Sequence, residues 1–288
     1  MMKINLIYWK EANYGDALSP RLIEELSGKQ VQCKGISMSR KERFMAFLKF
    51  DIAKIRMTIL PFQKIYGGIG SILSWLPKGS LVWGTGFMNK NESFKGGKVY
   101  AVRGKLTEQK LEEQGISPTR IYGDPALLLP LWLNEQKIKT IKLGLIPHWK
   151  EVDFFKNTYG ERYHVIDFRT KDVVGVTREI TSCEYILSSS LHGIIVAHAY
   201  GIPALWIKHG YIDTDGFKFY DYFSSVDIPI YNGFKDIDDI LADDAHWYKL
   251  FNDYGELAKI NNSLMDIQKK LLKAAPFPIR DKYSKHCF

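Results

Sequence analysis

The 288-residue sequence predicts an α/β fold made of two Rossmann-like halves that face one cleft. Three observations predict it. Short apolar, strand-like runs alternate with glycine turns and helical stretches along the chain, the pattern of open parallel sheets. The alternation breaks once, at the charged and aperiodic stretch Pro130–Thr140, which reads as a linker. The polar and glycine-rich turns fall at the carboxyl ends of the strand-like runs, where such sheets bind ligands. The halves are expected at 1–135 and 136–288, two compact units being what this length allows.

In order, Lys3–Trp9 reads as a strand, Asn13-Tyr14-Gly15-Asp16 as a turn, and Pro20–Leu26 as a helix ended by Gly28. Gln63–Tyr66 is a short strand that enters Gly67-Gly68-Ile69-Gly70-Ser71, and Leu81–Trp83 a strand that ends at Gly84-Thr85-Gly86. Val99–Arg103 is a strand, followed by a helix over Lys105–Gln114 that Gly115 stops. Beyond the linker, Lys142–Ile146, His164–Asp167, Tyr185–Leu187 and Ala204–Trp206 are strands, and Asp243–Ala274 carries apolar residues at helical spacing and reads as a long helix.

Hydrophobic residues make up 45% and aromatics 14%, enough for real cores. No apolar run approaches the roughly 20 residues of a membrane span. The first residues read as a strand and lack a signal-peptide pattern. Cys33, Cys183 and Cys287 are far apart, without metal-ligand or disulfide spacing, which points to a reducing, cytoplasmic setting. The net charge is +8, and the stretch Lys34–Lys64 alone carries +6. Within it, near 38–62, Phe44, Met45, Phe47, Leu48, Ile52, Ile55 and Ile59 recur at roughly helical spacing. This basic amphipathic insert either packs its apolar stripe on the protein or lies on an anionic membrane surface. Nucleic acid is not an expected partner, because the cations flank no recognisable binding fold.

The strongest site signal is SSSLHGIIVAHAYGIP, Ser188–Pro203. A strand, a small-residue turn, His192 and an apolar helical run ending at Gly-Ile-Pro place a histidine at a helix N-terminus, where free amides and the helix dipole favour anions. Histidine there suits general acid chemistry near neutrality. His198, within the apolar run, reads as a core residue. Arg103, at a strand tip, suits a carboxylate or phosphate, or else an ion pair between the halves. Lys218, between Phe217 and Phe219, and His148, after Ile146-Pro147, read as cleft residues. Asn13 and Asp16 either cap a turn or face the cleft. Gly67-Gly68-Ile69-Gly70 resembles a phosphate-cradling loop, and close helix packing explains it equally. There is no Walker loop, and no metal is expected.

Together, Asn13-Tyr14-Gly15-Asp16, Gly67-Gly68-Ile69-Gly70, Trp83-Gly84-Thr85-Gly86, Val102-Arg103-Gly104, Gly123-Asp124-Pro125-Ala126-Leu127, Pro147-His148, Ser189-Ser190-Leu191-His192-Gly193 and Lys218-Phe219-Tyr220-Asp221-Tyr222 resemble the polysaccharide pyruvyl transferase family, over roughly Ile4 to Ser225. The resemblance implies a glycosyltransferase-B-like fold and transfer of a pyruvyl group from phosphoenolpyruvate to two hydroxyls of a sugar. The product is a cyclic ketal in a bacterial capsule, exopolysaccharide or cell-wall glycan, or in its lipid-linked precursor. Phosphoenolpyruvate is then a co-substrate, and no redox cofactor is needed. The implied setting is cytoplasmic, with peripheral attachment to the inner membrane face if the basic insert binds lipid. In this scheme His192 is the general acid and Arg103 the donor clamp. Ser189, Ser190, Leu191, Gly193, His148 and Lys218 complete the donor site, and Asn13, Asp16, Gly68 and Gly86 meet the acceptor from the opposite half. Many members carry arginine where this chain has Ser190; Lys218 or His148 is expected to supply the missing charge, and the Ser-Leu-His form resembles a succinoglycan-type branch. The competing expectations are a nucleotide-sugar glycosyltransferase on the same fold and a non-catalytic glycan-binding relative.

Overall fold

A computed structural model describes residues 3–35, 38–60, 62–134, 138–210 and 212–287. The first part of the chain runs β1 (Ile4–Ile7), α1 (Tyr14–Ser27), β2 (Val31–Lys34), α2 (Arg40–Leu48), α3 (Ile52–Met57), β3 (Ile65–Gly67), β4 (Ser80–Trp83), β5 (Gly97–Ala101) and α4 (Lys105–Glu113). The second runs α5 (Leu129–Trp132), β6 (Ile141–Ile146), α6 (Val152–Tyr159), β7 (His164–Val165), α7 (Val173–Thr181), β8 (Cys183–Ser188), α8 (Leu191–Ala199), β9 (Ala204–Trp206) and α9 (Phe217–Ser225). It closes with α10 (Ile237–Ile240), α11 (Asp244–Asp253), α12 (Leu264–Lys273) and α13 (Asp281–Ser284).

The strands form two parallel sheets, ordered β2-β1-β3-β4-β5 and β7-β6-β8-β9. Each order reverses direction once. The chain leaves β1 for β2 on one side and returns to β3 on the other, and it does the same around β6 with β7 and β8. Ligands bind at such reversals, outside the carboxyl ends of the strands. The expected mixed fold with parallel sheets is therefore present.

Several elements differ from the sequence reading. α1 starts six residues before Pro20, because the Asn13 side chain caps it by accepting the Asp16 amide at 3.3 Å. β2 had no alternating pattern to reveal it, being half-buried along most of its length. The tail is not one long helix: a short 3-10 turn at Gly255–Leu257 and the stretch before the Ser263 cap separate α11 from α12. α12 and α13 pack back on the first sheet. The Trp83 indole N–H donates to the Leu271 carbonyl at 2.9 Å, Phe277 stacks edge-on against Trp83, and the Tyr283 hydroxyl donates to Glu25 at 2.7 Å. One buried apolar cluster thus contains residues of both sheets, from Leu6 and Leu22 to Leu187 and Leu271. The centre of the linker, Glu135-Gln136-Lys137, lies outside the described residues, as does Pro61 in the basic insert.

Candidate functional site

A cleft of about 390 Å³, within the range of small-molecule sites, opens where the carboxyl ends of the two sheets meet. Four segments form its walls: Trp9, Asn13 and Asp16 after β1; Gly70, Ser71 and Ile72 after β3; His148 and Trp149 after β6; and Ser190, Leu191 and His192 after β8. Lys218 of α9 completes the floor. Trp9 and Trp149 meet edge to face at 5.7 Å and join the two halves at the rim.

The β8–α8 turn is built by serines. Ser188 Oγ donates to the Ile146 carbonyl (2.8 Å) and accepts the Ser190 amide (3.0 Å). Gly193 is required there, since a Cβ would stand 2.4 Å from Ser188 Oγ. Ser190 occupies the N-cap without a side-chain cap bond; the Gly193 amide bonds to the Ser190 carbonyl at 3.1 Å, and the Leu191 and His192 amides before it have no intrahelical acceptor. The His192 ring lies against the start of α1: a Cβ on Gly15 would come within 2.2 Å of His192 Nδ1. Gly15 is glycine because the histidine of the other half needs its space.

His192 Nε2 stands 4.0 Å from Asp124 Oδ2, and both atoms are buried without a hydrogen-bond partner. The other Asp124 oxygen accepts the Ala126 amide at 2.9 Å. Burial, then the positive charges of Lys218 and Arg103, lower the His192 pKa to about 3. Burial raises Asp124 to about 7, against the Ala126 amide and Arg103. Burial thus holds the imidazole in its neutral form near pH 7 and favours a proton on the Asp124 carboxyl. A general acid at position 192 would therefore have to take up a proton in the cleft before giving one. His148 follows the same pattern, lowered to about 3 by burial and then by Lys218, and its buried Nδ1 is unpartnered. Asp16, raised to about 7 by burial and partly restrained by Lys218, presents a second carboxyl that carries a proton near neutrality.

Lys218 is buried, and its ammonium has no hydrogen bond or ion pair among the described residues; its nearest ring is Phe219, at 5.4 Å. Burial, then Arg103, lowers its pKa to about 8, while Asp16, Asp213 and Glu151 pull the other way. It is a buried cation on the cleft lining.

Arg103 is not a cleft residue. It is fully buried, with Nε donating to Asp221 (2.9 Å), Nη1 to Ser71 Oγ (2.6 Å) and Nη2 to the Phe87 carbonyl. Asp221 also accepts the amide and the hydroxyl of Thr107, each at 2.7 Å. The expected clamp is thus a pin between the end of β5 and α9, touching the cleft lining only at Ser71. Gly68 and Gly86 also lie outside the lining. A Cβ would meet Ser19 Oγ at 2.9 Å from Gly68, and Arg103 and Asp221 at 2.7 Å from Gly86. Both glycines serve packing. Ser189 faces away from the cleft, accepting the His148 amide (2.8 Å) and donating to Glu151. The Asn13 side-chain oxygen is occupied as the α1 cap. His198 is a satisfied core histidine, with Nδ1 2.9 Å from the Tyr222 hydroxyl.

Asp124, Trp9, Trp149 and Asp221 are the functional or supporting residues that sequence reading missed. Asp124 stood in a quoted motif with no role attached, and its distance from His192 along the chain hid the pairing.

Comparison with known proteins bears on this cleft. A family model described as polysaccharide pyruvyl transferase matches residues 13–211. The chain belongs to that family. Its matched span holds the walls from Asn13 to His192 and stops short of Lys218. As a polysaccharide pyruvyl transferase family member it is similar to the uncharacterized protein L143 of Acanthamoeba polyphaga mimivirus, 29% identical over 270 residues, 86% of this chain and 92% of that one. It is also similar to the succinoglycan biosynthesis protein ExoV of Rhizobium meliloti (strain 1021), 30% identical over 165 residues, half of each chain. No solved structure matches. No helix among the described residues is long and apolar enough to cross a membrane.

Proposed function

We propose that this member moves the pyruvyl group of phosphoenolpyruvate onto two hydroxyls of one sugar in a surface polysaccharide or its lipid-linked precursor, in the cytoplasm. The product is a cyclic ketal and free phosphate. The observation that carries the reading is the meeting of three features in one cleft: an unpartnered buried ammonium at Lys218, the open N-terminus of α8, and the unpartnered His192–Asp124 pair. We read the two halves as glycosyltransferase-B-like domains, with the donor on the second and the sugar on the first.

The donor carries a carboxylate and a phosphate. Lys218 and the first α8 amides meet one anionic group, which restores the charge that relatives obtain from arginine at the Ser190 position. The donor's negative charge also favours a cation on His192. The proton resident on Asp124 then passes to Nε2, so that a neutral pair becomes a carboxylate–imidazolium pair only when donor is present. Asp16, next to the methylene carbon, supplies the proton that turns it into a methyl group, and His192, next to the phosphate, protonates that group as it leaves. Protonation of the methylene makes the adjacent carbon electrophilic. One sugar hydroxyl attacks it, the phosphate departs, and the neighbouring hydroxyl closes the ketal; the two hydroxyl protons go to Asp16 and His192, which restores both acids. Trp9 and Trp149 offer apolar faces against which a sugar ring can lie.

The test is phosphoenolpyruvate offered with a panel of free and lipid-linked sugars, read by phosphate release and by the mass of one pyruvyl ketal. Protection from thermal unfolding by nucleotide diphosphates but not by phosphoenolpyruvate would defeat the reading in favour of a nucleotide-sugar donor.

A further inference from the structure

The α2–α3 insert is built inside out. The buried residue of α2 is Ala46, while Phe44, Met45, Phe47 and Leu48 are exposed. By helical spacing, Phe44, Phe47 and Leu48 share the side opposite Ala46. α3 buries none of its residues, and Ile52 and Ile55 are exposed. The turns on either side add Phe50 at 81% exposure and Phe62 at 104%. Both have positive φ, 51° and 66°, a conformation that disfavours bulky L residues. These aromatics gain no packing, and their backbones are strained, so the fold does not account for them. Of the apolar stripe read from the sequence, Ile59 packs on the protein, while Phe44, Met45, Phe47, Leu48, Ile52 and Ile55 do not.

The segment is nonetheless locally ordered. Ser39 and Glu42 form a reciprocal capping box, Asp51 caps α3, and buried Lys34 donates to the carbonyls of Arg56 (2.8 Å) and Thr58 (3.0 Å). Arg40, Lys41, Arg43, Lys49, Lys54 and Arg56 surround the apolar residues, and both carboxylates of the segment are spent as helix caps.

We propose that α2 and α3 dock on an anionic lipid bilayer, with Phe44, Phe47, Phe50 and Phe62 entering the interface and the cations among the headgroups. Charge selects this occupant. A second copy of the chain would bring the same cations against these, whereas anionic lipid satisfies both the apolar and the cationic parts of the surface. Continuity with the cleft agrees. Beside α3 lies a groove of about 600 Å³ bordered by Met57, Lys10, Lys78 and Lys95, and it shares Trp9 and Trp75 with the cleft. Docking therefore sets the cleft mouth beside the lipid surface. The inference does not depend on the reaction proposed above.

The test is flotation of the full chain with vesicles of phosphatidylglycerol and phosphatidylcholine at low salt, with vesicles of phosphatidylcholine alone as the control. The protein is expected to float with the first and not with the second. Neutralising Arg40, Lys41 and Arg43 to Gln should weaken binding roughly five-fold per residue. Phe44→Ser with Phe47→Ser should remove the binding that survives raised salt. These positions are exposed, and unchanged thermal midpoints would verify folding. Lys142, Lys235 and Lys259 changed to Gln remove the same charge elsewhere and should leave binding intact. Absence of flotation with anionic vesicles overturns the proposal. So does equal weakening by the distant lysine changes, or a wild-type dimer that Phe44→Ser with Phe47→Ser dissolves while no vesicle binding is seen.

Discussion

Replacing Arg103 with Met separates a structural pin from a donor clamp. Arg103 and Asp221 are both fully buried, and the guanidinium spends Nε, Nη1 and Nη2 on Asp221, Ser71 and Phe87. Removing one partner of such a pair leaves an uncompensated buried charge, at about 3–5 kcal/mol. Unfolding entropy of about 2.1 cal/mol/K per residue gives roughly 0.6 kcal/mol/K for a chain of this length. The expected fall in Tm is therefore about 5–8 °C, measured by differential scanning fluorimetry or calorimetry. Adding Asp221→Leu should recover part of it, since the stranded carboxylate goes with it. Well below Tm, affinity for phosphoenolpyruvate should change little, because the guanidinium does not line the cleft. A Tm within about 1 °C of wild type, together with a hundred-fold loss of donor affinity, would show that Arg103 swings into the cleft, and the pin would be refuted.

Asp124→Asn removes the proton that His192 is proposed to receive. It should lower kcat about 10²-fold with little change in donor KM, and wild-type kcat would end the pairing argument. Lys218→Met should weaken donor binding by about two orders of magnitude, as expected for loss of a buried charged partner. Since Lys218 is held to about 8, donor KM in the wild type should rise above pH 8, and a flat KM profile would count against its role. Gly15→Ala should displace the His192 ring and cut turnover while α1 persists, as kinetics and circular dichroism would show together. The stability profile should carry the signs of the site. His148, His192 and His198 are lowered to about 3, 3 and 4, so between there and the unfolded value near 6.5 the unfolded chain binds protons the fold refuses, and stability drops on acidification. Asp16 and Asp124, raised to about 7, act oppositely: their contribution is full below about 4 and is lost as pH rises through 7. Between pH 4.5 and 6 the two sets leave a slope of roughly one proton favouring higher pH, which urea midpoints at the two ends would read.

Much of this was legible in the sequence because it is local. A strand, a serine turn and a histidine at a helix start are neighbours along the chain, so Ser188–His192 announces its own geometry. So do Ile146-Pro147-His148 and the turn at Asn13–Asp16. What stayed hidden depends on residues far apart in sequence. Arg103 and Asp221 are separated by 118 positions, and nothing local to either shows that one satisfies the other. Composition alone offers an arginine at a strand tip as an anion ligand, and burial decides otherwise. The glycines of Gly67–Gly70 illustrate the same limit. A phosphate loop and close packing both demand glycine, and only the positions of Leu76, 2.4 Å from a Cβ on Gly67, and of Ser19 beside Gly68 decide between them.

Under the proposed reaction, charge balance accounts for serine at position 190. The proposed donor with two anionic groups needs cations, and with Arg103 paired to Asp221 the buried cation that lines the cleft, among the described residues, is Lys218. A second fixed cation in an empty, poorly solvated cleft would be unstable. A neutral imidazole beside a carboxyl that carries a proton avoids that difficulty, because the pair bears no net charge until the donor arrives. In the proposed mechanism this chain generates positive charge on demand at His192, with Asp124 as the proton source. The consequence is directional. In the free protein His192 should remain neutral down to low pH, whereas saturation with phosphoenolpyruvate should make its ring protons report an imidazolium near neutrality. In Asp124→Asn that donor-dependent change should be lost. Imidazolium signals for His192 in the free protein at pH 7 would remove the basis of the mechanism.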